Sequence, residues 1–424
     1  MISALDINYN KITQSDRCRA WAIAVILNAD SIRYVFNTLF KHIFPSVLIL
    51  NLTLILVCWI PVIYSLFKNN EPQRYYNWTI PIIVFFLFLF TLIINPESYN
   101  SIVLGCDGSY RAQDLVFSPI HGIVCFYLVS RLTCADAMKY ALVLTVIMAF
   151  FVNIWQPLVL SRLDVVQTVH SVSTGQDFEV SYSGYFGYGI SIVMLFSVLH
   201  CVLYKTRRLF FMLLGIICIV ELLLWGNRGV FLQLGVLLIL YLINAGGISS
   251  RKKWARYFLL ILIILVSLFI FYNWLPIVLA IKDLGIESRT VESIIEGSLM
   301  DSNGREDYQI AVIKMINRNY LGGGVYSSLT EFKFYAHNFF LDLFADFGYI
   351  IGGCIILLFI IKIVQAFKRF TNQNYLFPFM IFFSYALGKM MVTNYYMFEN
   401  YFWACMAIVV VGIKKCPKEA IQRF

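Results

Sequence analysis

SGYFGYGISIVMLFSVLHCVLYKTRR, residues 183–208, opens with 22 residues that include no Asp, Glu, Lys or Arg and closes on Lys205, Arg207 and Arg208. As a helix rising 1.5 Å per residue, the uncharged part is about 33 Å long, enough to cross a hydrocarbon core about 30 Å thick. The cations at its end read as a cytoplasmic anchor. One stretch therefore gives both a membrane span and its direction. Similar apolar runs recur at roughly 43–67, 77–95, 115–131, 139–156, 209–226, 229–245, 257–280, 339–367, 376–393 and 395–413. Hydrophobic residues make up 60% of the 424 and charged residues 13%, with a mean hydropathy of +0.75. Soluble domains carry about 25% charged residues. A soluble globule of this length cannot bury so much apolar surface. Unbroken Leu/Ile/Phe runs also exclude a transmembrane β-barrel, whose strands alternate.

The expected fold is all-α: a polytopic membrane protein of about twelve transmembrane helices with one large, partly helical external loop. Residues 205–208, 251–256, 368–369 and 414–418 carry clustered Lys and Arg and read as cytoplasmic. Alternation then places 157–182 and 281–338 outside. A weaker run, 18–40, includes Asp30 and Arg33. If it crosses, there are twelve spans and both termini are inside; if it lies along the interface, there are eleven. The first 17 residues are polar and the first apolar run lacks a small-residue cleavage site, so no cleavable signal peptide is expected. No repeat of 20–50 residues is visible, and residues 1–424 read as one multi-pass domain. The net charge of +9 reflects these topology-setting cations and does not call for nucleic acid. Ten scattered cysteines without a CxxC pair read as small buried hydrophobes.

Against this background a few polar residues stand out. Arg228 lies in a tight hairpin between two apolar runs, at or just below the membrane surface. Its fork of donors suits an anion such as phosphate; the competing reading is snorkelling to headgroups. Glu221, two helical turns earlier, is either an internal partner for a cation or a quiet interhelical hydrogen-bonding group. Arg305 follows the turn-forming Asp301-Ser302-Asn303-Gly304 and begins a helix. It reads as a second phosphate or sugar contact, or as an exposed arginine beside Glu306 and Asp307. Leu321-Gly322-Gly323-Gly324 offers free amides but no following Lys-Ser/Thr, so a hinge or tight turn fits better than a nucleotide loop. His337-Asn338 stands where the long loop re-enters an apolar helix. Asn338 reads as an N-cap, and Asp342 and Asp346 suit the positive end of the helix dipole. A histidine there has its pKa lowered and can serve as a neutral base; a merely satisfied histidine fits as well. Gly348 and Gly352 form a GxxxG pattern of close helix packing. Lys389 is an intramembrane charge, functional or snorkelling outward. His121, His170 and His200 show no metal-ligand spacing, and no metal is expected.

Taken in order, Arg228 with Leu232, then Asn303-Gly304-Arg305, Leu321-Gly322-Gly323-Gly324 and His337-Asn338 resemble the bacterial O-antigen polymerase and O-antigen ligase superfamily. Gly348 follows the ligase pattern H-[NSQ]-x9-G-x-x-[GTY], but Ile351 breaks its last position. Residues 182–188, YSGYFGY, and the late GKMMVTNYYMFENYFW look like repeat-unit polymerases. The resemblance implies an inverting, metal-independent, GT-C-like glycosyltransferase of the inner membrane with no cofactor and a site facing the periplasm. Donor and acceptor are then oligosaccharides on undecaprenyl diphosphate, within membrane lipid; a chain-length regulator protein is a partner the resemblance allows. By the same resemblance, Arg228 and Arg305 hold the diphosphate and His337 is the base or a diphosphate contact. Asn338, Gly323 and Arg162, in the second external loop, are further substrate contacts. The competing readings are an O-antigen ligase, transferring glycan to a lipid A core, and a flippase or transporter of lipid-linked sugar.

Overall fold

The computed structural model describes residues 5, 7–40, 59–60, 63–64, 79–96, 112–154, 167–170, 177–180, 184–225, 229–244, 305–332, 335–370 and 373–415. The run at 257–280, all of the run at 43–67 except residues 59–60 and 63–64, and the first part of the long external loop lie outside the described residues. In chain order the helices are α1 (Gln14–Phe40), α2 (Thr79–Ile94), α3 (Ala112–Ser130), α4 (Ala135–Asn153), α5 (Gly184–Leu203), α6 (Arg208–Trp225) and α7 (Gly229–Asn244). They continue as α8 (Arg305–Arg318), α9 (Ser327–Phe332), α10 (Phe339–Arg369), α11 (Gln373–Met390) and α12 (Asn400–Lys415). The fold is therefore helical, with one correction. Within 157–182, β1 (Gln167–His170) pairs antiparallel with β2 (Asp177–Val180), His170 opposite Asp177. Thr168, Val169, Phe178 and Val180 suit a pleated strand, and such a short hairpin is invisible to a reading tuned to 20-residue runs.

Helices α4, α5 and α10 are long and apolar enough to cross a membrane. Helix α5 runs through the middle of the bundle, with Phe186, Ile190, Val193, Met194 and Phe196 fully enclosed. Its neighbours include α1, α4, α6, α7 and α11. Helix α1 packs along α4, α3 and α12, burying Ala20, Ile23, Ala24 and Leu27. Two of its charged residues, Asp16 and Arg19, turn inward to partners. Asp16 accepts from the Thr133 amide and hydroxyl, and Arg19 Nη1 donates to the Arg131 carbonyl at 2.7 Å. Outward, α6 presents Leu209, Phe210, Leu213, Ile216, Ile217 and Val220, and α10 presents Ile350, Leu357, Leu358 and Ile360. Apolar belts of this size on helices are what lipid covers.

Helix α10 is not one straight rod. Gly348 takes φ 69° and ψ 179°, which breaks it. The first part, 339–347, is enclosed by protein, and the second, 349–369, is about 31 Å long and carries the lipid-facing residues. The bend is sharp. A side chain on Gly352 would meet the carbonyl oxygen of Leu343 at 2.8 Å, nine residues back. Gly348 and Gly352 thus serve a bend within one helix, and the expectation that they pack two helices together is corrected. The reason is local: a positive φ is open to glycine at no steric cost, and a Cβ on Gly348 would collide with the Tyr320 carbonyl.

Candidate functional site

The bend leaves helical carbonyls without their usual partners, and the glycine loop supplies them. The Gly323 amide donates to Ala345 O and the Gly324 amide to Asp346 O, each at 2.9 Å. Gly322 and Gly324 sit at φ 81° and 82°. On its other side the loop is held by α2. The Thr91 hydroxyl accepts from the Val325 amide at 2.8 Å, and Asn95 Nδ2 donates to Gly323 O at 3.3 Å. The tight-turn reading of this loop fits these bonds, and the Gly323 amide and carbonyl are both engaged within the protein.

Beneath the loop lies Asp346, fully enclosed. It accepts from Ser327 Oγ at 3.0 Å, the Ser327 amide at 3.3 Å, Tyr396 OH at 2.7 Å and Tyr395 OH. Asp346 therefore joins three segments: the glycine loop, the bend of α10, and the 3₁₀ turn Tyr396–Phe398 between α11 and α12. Asp342, also fully enclosed, accepts the Ala336 amide at 2.9 Å through Oδ1, while its Oδ2 has no hydrogen-bond partner among the described residues.

Asn338 is the N-cap of α10, with Oδ1 accepting from the amides of Phe340 at 3.1 Å and Leu341 at 3.3 Å. His337, just before it, is half-buried and has φ 52°, a left-handed conformation that favours glycine. Its ring lies 4.4 Å from that of Tyr335, centroid to centroid. The Tyr335 hydroxyl donates to the Thr393 carbonyl, and the Thr393 hydroxyl donates to Tyr188 OH. Tyr188 OH in turn faces Gly229, the first residue of α7, where a Cβ would come within 2.7 Å of it. The contacts thus run from His337 through Tyr335, Thr393 and Tyr188 to the residue that follows Arg228. Arg228 itself and Arg162 lie outside the described residues. Arg305 is the first residue of α8.

Lys389 does not snorkel outward. Its ammonium pairs at 3.0 Å with Glu399, whose side chain is 1% exposed. It also stands 5.3 Å from the Tyr188 ring centroid and 5.6 Å from that of Tyr385. Asn394 Nδ2 and the Tyr401 amide complete the Glu399 contacts at 2.7 and 3.2 Å. Glu221 is half-buried, and its Oε2 has no hydrogen-bond partner among the described residues.

The segment that holds most of these residues, from the second turn of α6 to past the bend of α10, has known relatives. Residues 213–357 match the family model described as O-antigen ligase. The match fits the O-antigen polymerase and ligase superfamily, whose members are glycosyltransferase-like enzymes of polysaccharide biosynthesis. It takes in Arg228, Arg305, Gly323, His337 and Asn338 and leaves out Arg162 and everything after residue 357. No curated protein matches the chain significantly, and no solved structure does.

Reasoning from single residues did not find Tyr335, Tyr188, Thr393, Tyr395, Tyr396 or Glu399. The signal was present at coarser grain. The stretches YSGYFGY, 182–188, and GKMMVTNYYMFENYFW, 388–403, both singled out in the sequence, meet through Thr393 and Tyr188.

Proposed function

We propose that this protein is a repeat-unit polymerase. It would transfer a glycan from undecaprenyl diphosphate to the non-reducing end of a second lipid-linked oligosaccharide at the outer face of the bacterial inner membrane. A function of the O-antigen ligase or polymerase type is what the match over 213–357 supports. The narrower reading is carried by one observation: the contacts that join His337 to the N-terminus of α7, directly behind Arg228, run through residues of the two polymerase-like stretches.

In the proposed reaction an acceptor hydroxyl attacks the anomeric carbon from the face opposite the diphosphate. The new C–O bond forms as the old one breaks, and the configuration inverts. The diphosphate leaves with the bonding electrons. His337 takes the acceptor's proton, a role typically worth about 10²–10⁴ in rate. Arg228 and Arg305 stabilise the charge gathering on the diphosphate, aided by the positive end of α7. Asn338 holds the helix start under His337. On the expectation of twelve spans with both ends inside, this site would lie on the outer face, the side to which the polar loop 281–338 is assigned.

The test is a knockout complemented with variants. Loss of a polymerase leaves single-repeat glycolipid, whereas loss of a ligase leaves lipid-linked polymer. Polymer accumulating in the knockout would favour the ligase reading, which the matched family's description also fits. Purified protein should extend chains in detergent with no ion gradient and no nucleotide, as a transporter would not.

A further inference from the structure

A cleft of ≈ 300 Å³ opens between the end of α8, α9 and the bend of α10. That lies at the lower end of the about 300–1,000 Å³ typical of small-molecule sites. Arg318 and Asn319 form one wall, Thr330 and Glu331 of α9 another, and Met315 and Ile316 give it an apolar floor. Its charged residues are unspent. Arg318 and Glu331 are both exposed, and neither makes an ion pair or a side-chain hydrogen bond among the described residues. The Thr330 hydroxyl is buried and has no hydrogen-bond partner among the described residues, which a folded protein seldom leaves uncorrected.

The charge balance selects the ligand. An anion would gain from Arg318 and lose to Glu331, and a cation would do the reverse. A neutral polyhydroxyl compound satisfies both: the carboxylate accepts from hydroxyl groups, the guanidinium donates to ring or hydroxyl oxygens, and the threonine hydroxyl does either. Its C–H face can rest on Met315 and Ile316. The cleft is rigidly founded, because Gly323, which lines it, is fixed to Ala345 and Asn95.

We propose that this cleft is a sugar subsite, binding an uncharged residue of the glycan away from its diphosphate end. The proposal rests on the transferase reading above. It adds a contact made by sugar hydroxyls, with residues 315–331 setting which repeat unit is accepted. The probe is the host's own repeat-unit oligosaccharide, freed of lipid and phosphate by mild acid. Its binding to full-length protein in detergent is measured by saturation-transfer NMR and calorimetry, with Arg318→Ala, Glu331→Gln, Thr330→Val and His337→Ala as variants. Wild type and His337→Ala should bind alike. The Arg318 and Glu331 variants should bind about tenfold or more weakly, the usual effect of losing a charged hydrogen bond, with unchanged melting temperatures. Absence of saturable binding to wild type, equal binding by the cleft variants, or displacement of the sugar by inorganic diphosphate would overturn it. The two readings fail separately. If His337→Ala still extends chains while Arg318→Ala loses the sugar, the transfer chemistry is wrong and the subsite stands. If His337→Ala is dead and the cleft variants bind normally, only the subsite falls.

Discussion

His337 holds a conformation that costs a non-glycine residue roughly 1–2 kcal/mol, at φ 52°. Strain of this kind persists where the surroundings over-determine it, and it concentrates at functional sites. A glycine at 337 would relieve the backbone and remove the imidazole. His337→Gly should therefore melt no lower than wild type in detergent, while polymer formation falls by about 10²-fold or more. A variant that is unstable as well as inactive would mark the ring as a packing group for Tyr335, not as a base. The neighbouring Asn338 gives the opposite pattern. Asn338→Ala removes the cap over two amides and should cost about 1 kcal/mol, whereas Asn338→Asp should keep most of it. The cap was legible from sequence, since an Asn before an apolar run has one obvious use. The strain at His337 was not, because residue type carries no φ.

At the scale of elements, the bend of α10 organises the site. Its carbonyls are satisfied by the glycine loop, and its Asp346 gathers hydroxyls from the turn after α11. Asp346→Ala would leave the Tyr396 and Ser327 donors buried and unpaired, at about 1–3 kcal/mol each, with Tyr395 OH left only its 3.2 Å contact to Tyr396 OH. The expected result is a large fall in melting temperature. Asp346→Asn, which keeps an acceptor oxygen at similar volume, should recover part of it. Equal stability of Asp346→Ala and wild type would remove Asp346 from its structural role. The boundaries of most helices were legible from apolar length: the run expected at 139–156 is α4, and that at 183–204 is α5. The bend was misread because GxxxG has the same spelling whether it packs two helices or frees one to fold back. The loop that meets it, Gly322 to Gly324, lies more than twenty residues earlier in the chain. Only tertiary structure joins the two.

At the scale of the whole molecule, about a third of the chain matches the O-antigen ligase model, yet the surroundings of His337 are completed from outside that third. Thr393 and Tyr188 link the α10 entry to α5 and the start of α7. The transfer reading requires all of this to face one side of the membrane, the side away from Lys205 and Arg207. Both faces have accessible positions. Tyr320 and Leu321 are 66% and 60% exposed beside the glycine loop, and residues 205–207 form an exposed turn between α5 and α6. With the ten native cysteines replaced by alanine, Tyr320→Cys and Thr206→Cys give opposite expectations in spheroplasts. A membrane-impermeant maleimide should label residue 320 directly and residue 206 only after permeabilisation. A lipid-linked diphosphate presented at the outer face can reach His337 only in that arrangement. Labelling of 206 in sealed spheroplasts, with 320 protected, would invert the molecule and place the histidine on the side where no polymer is assembled.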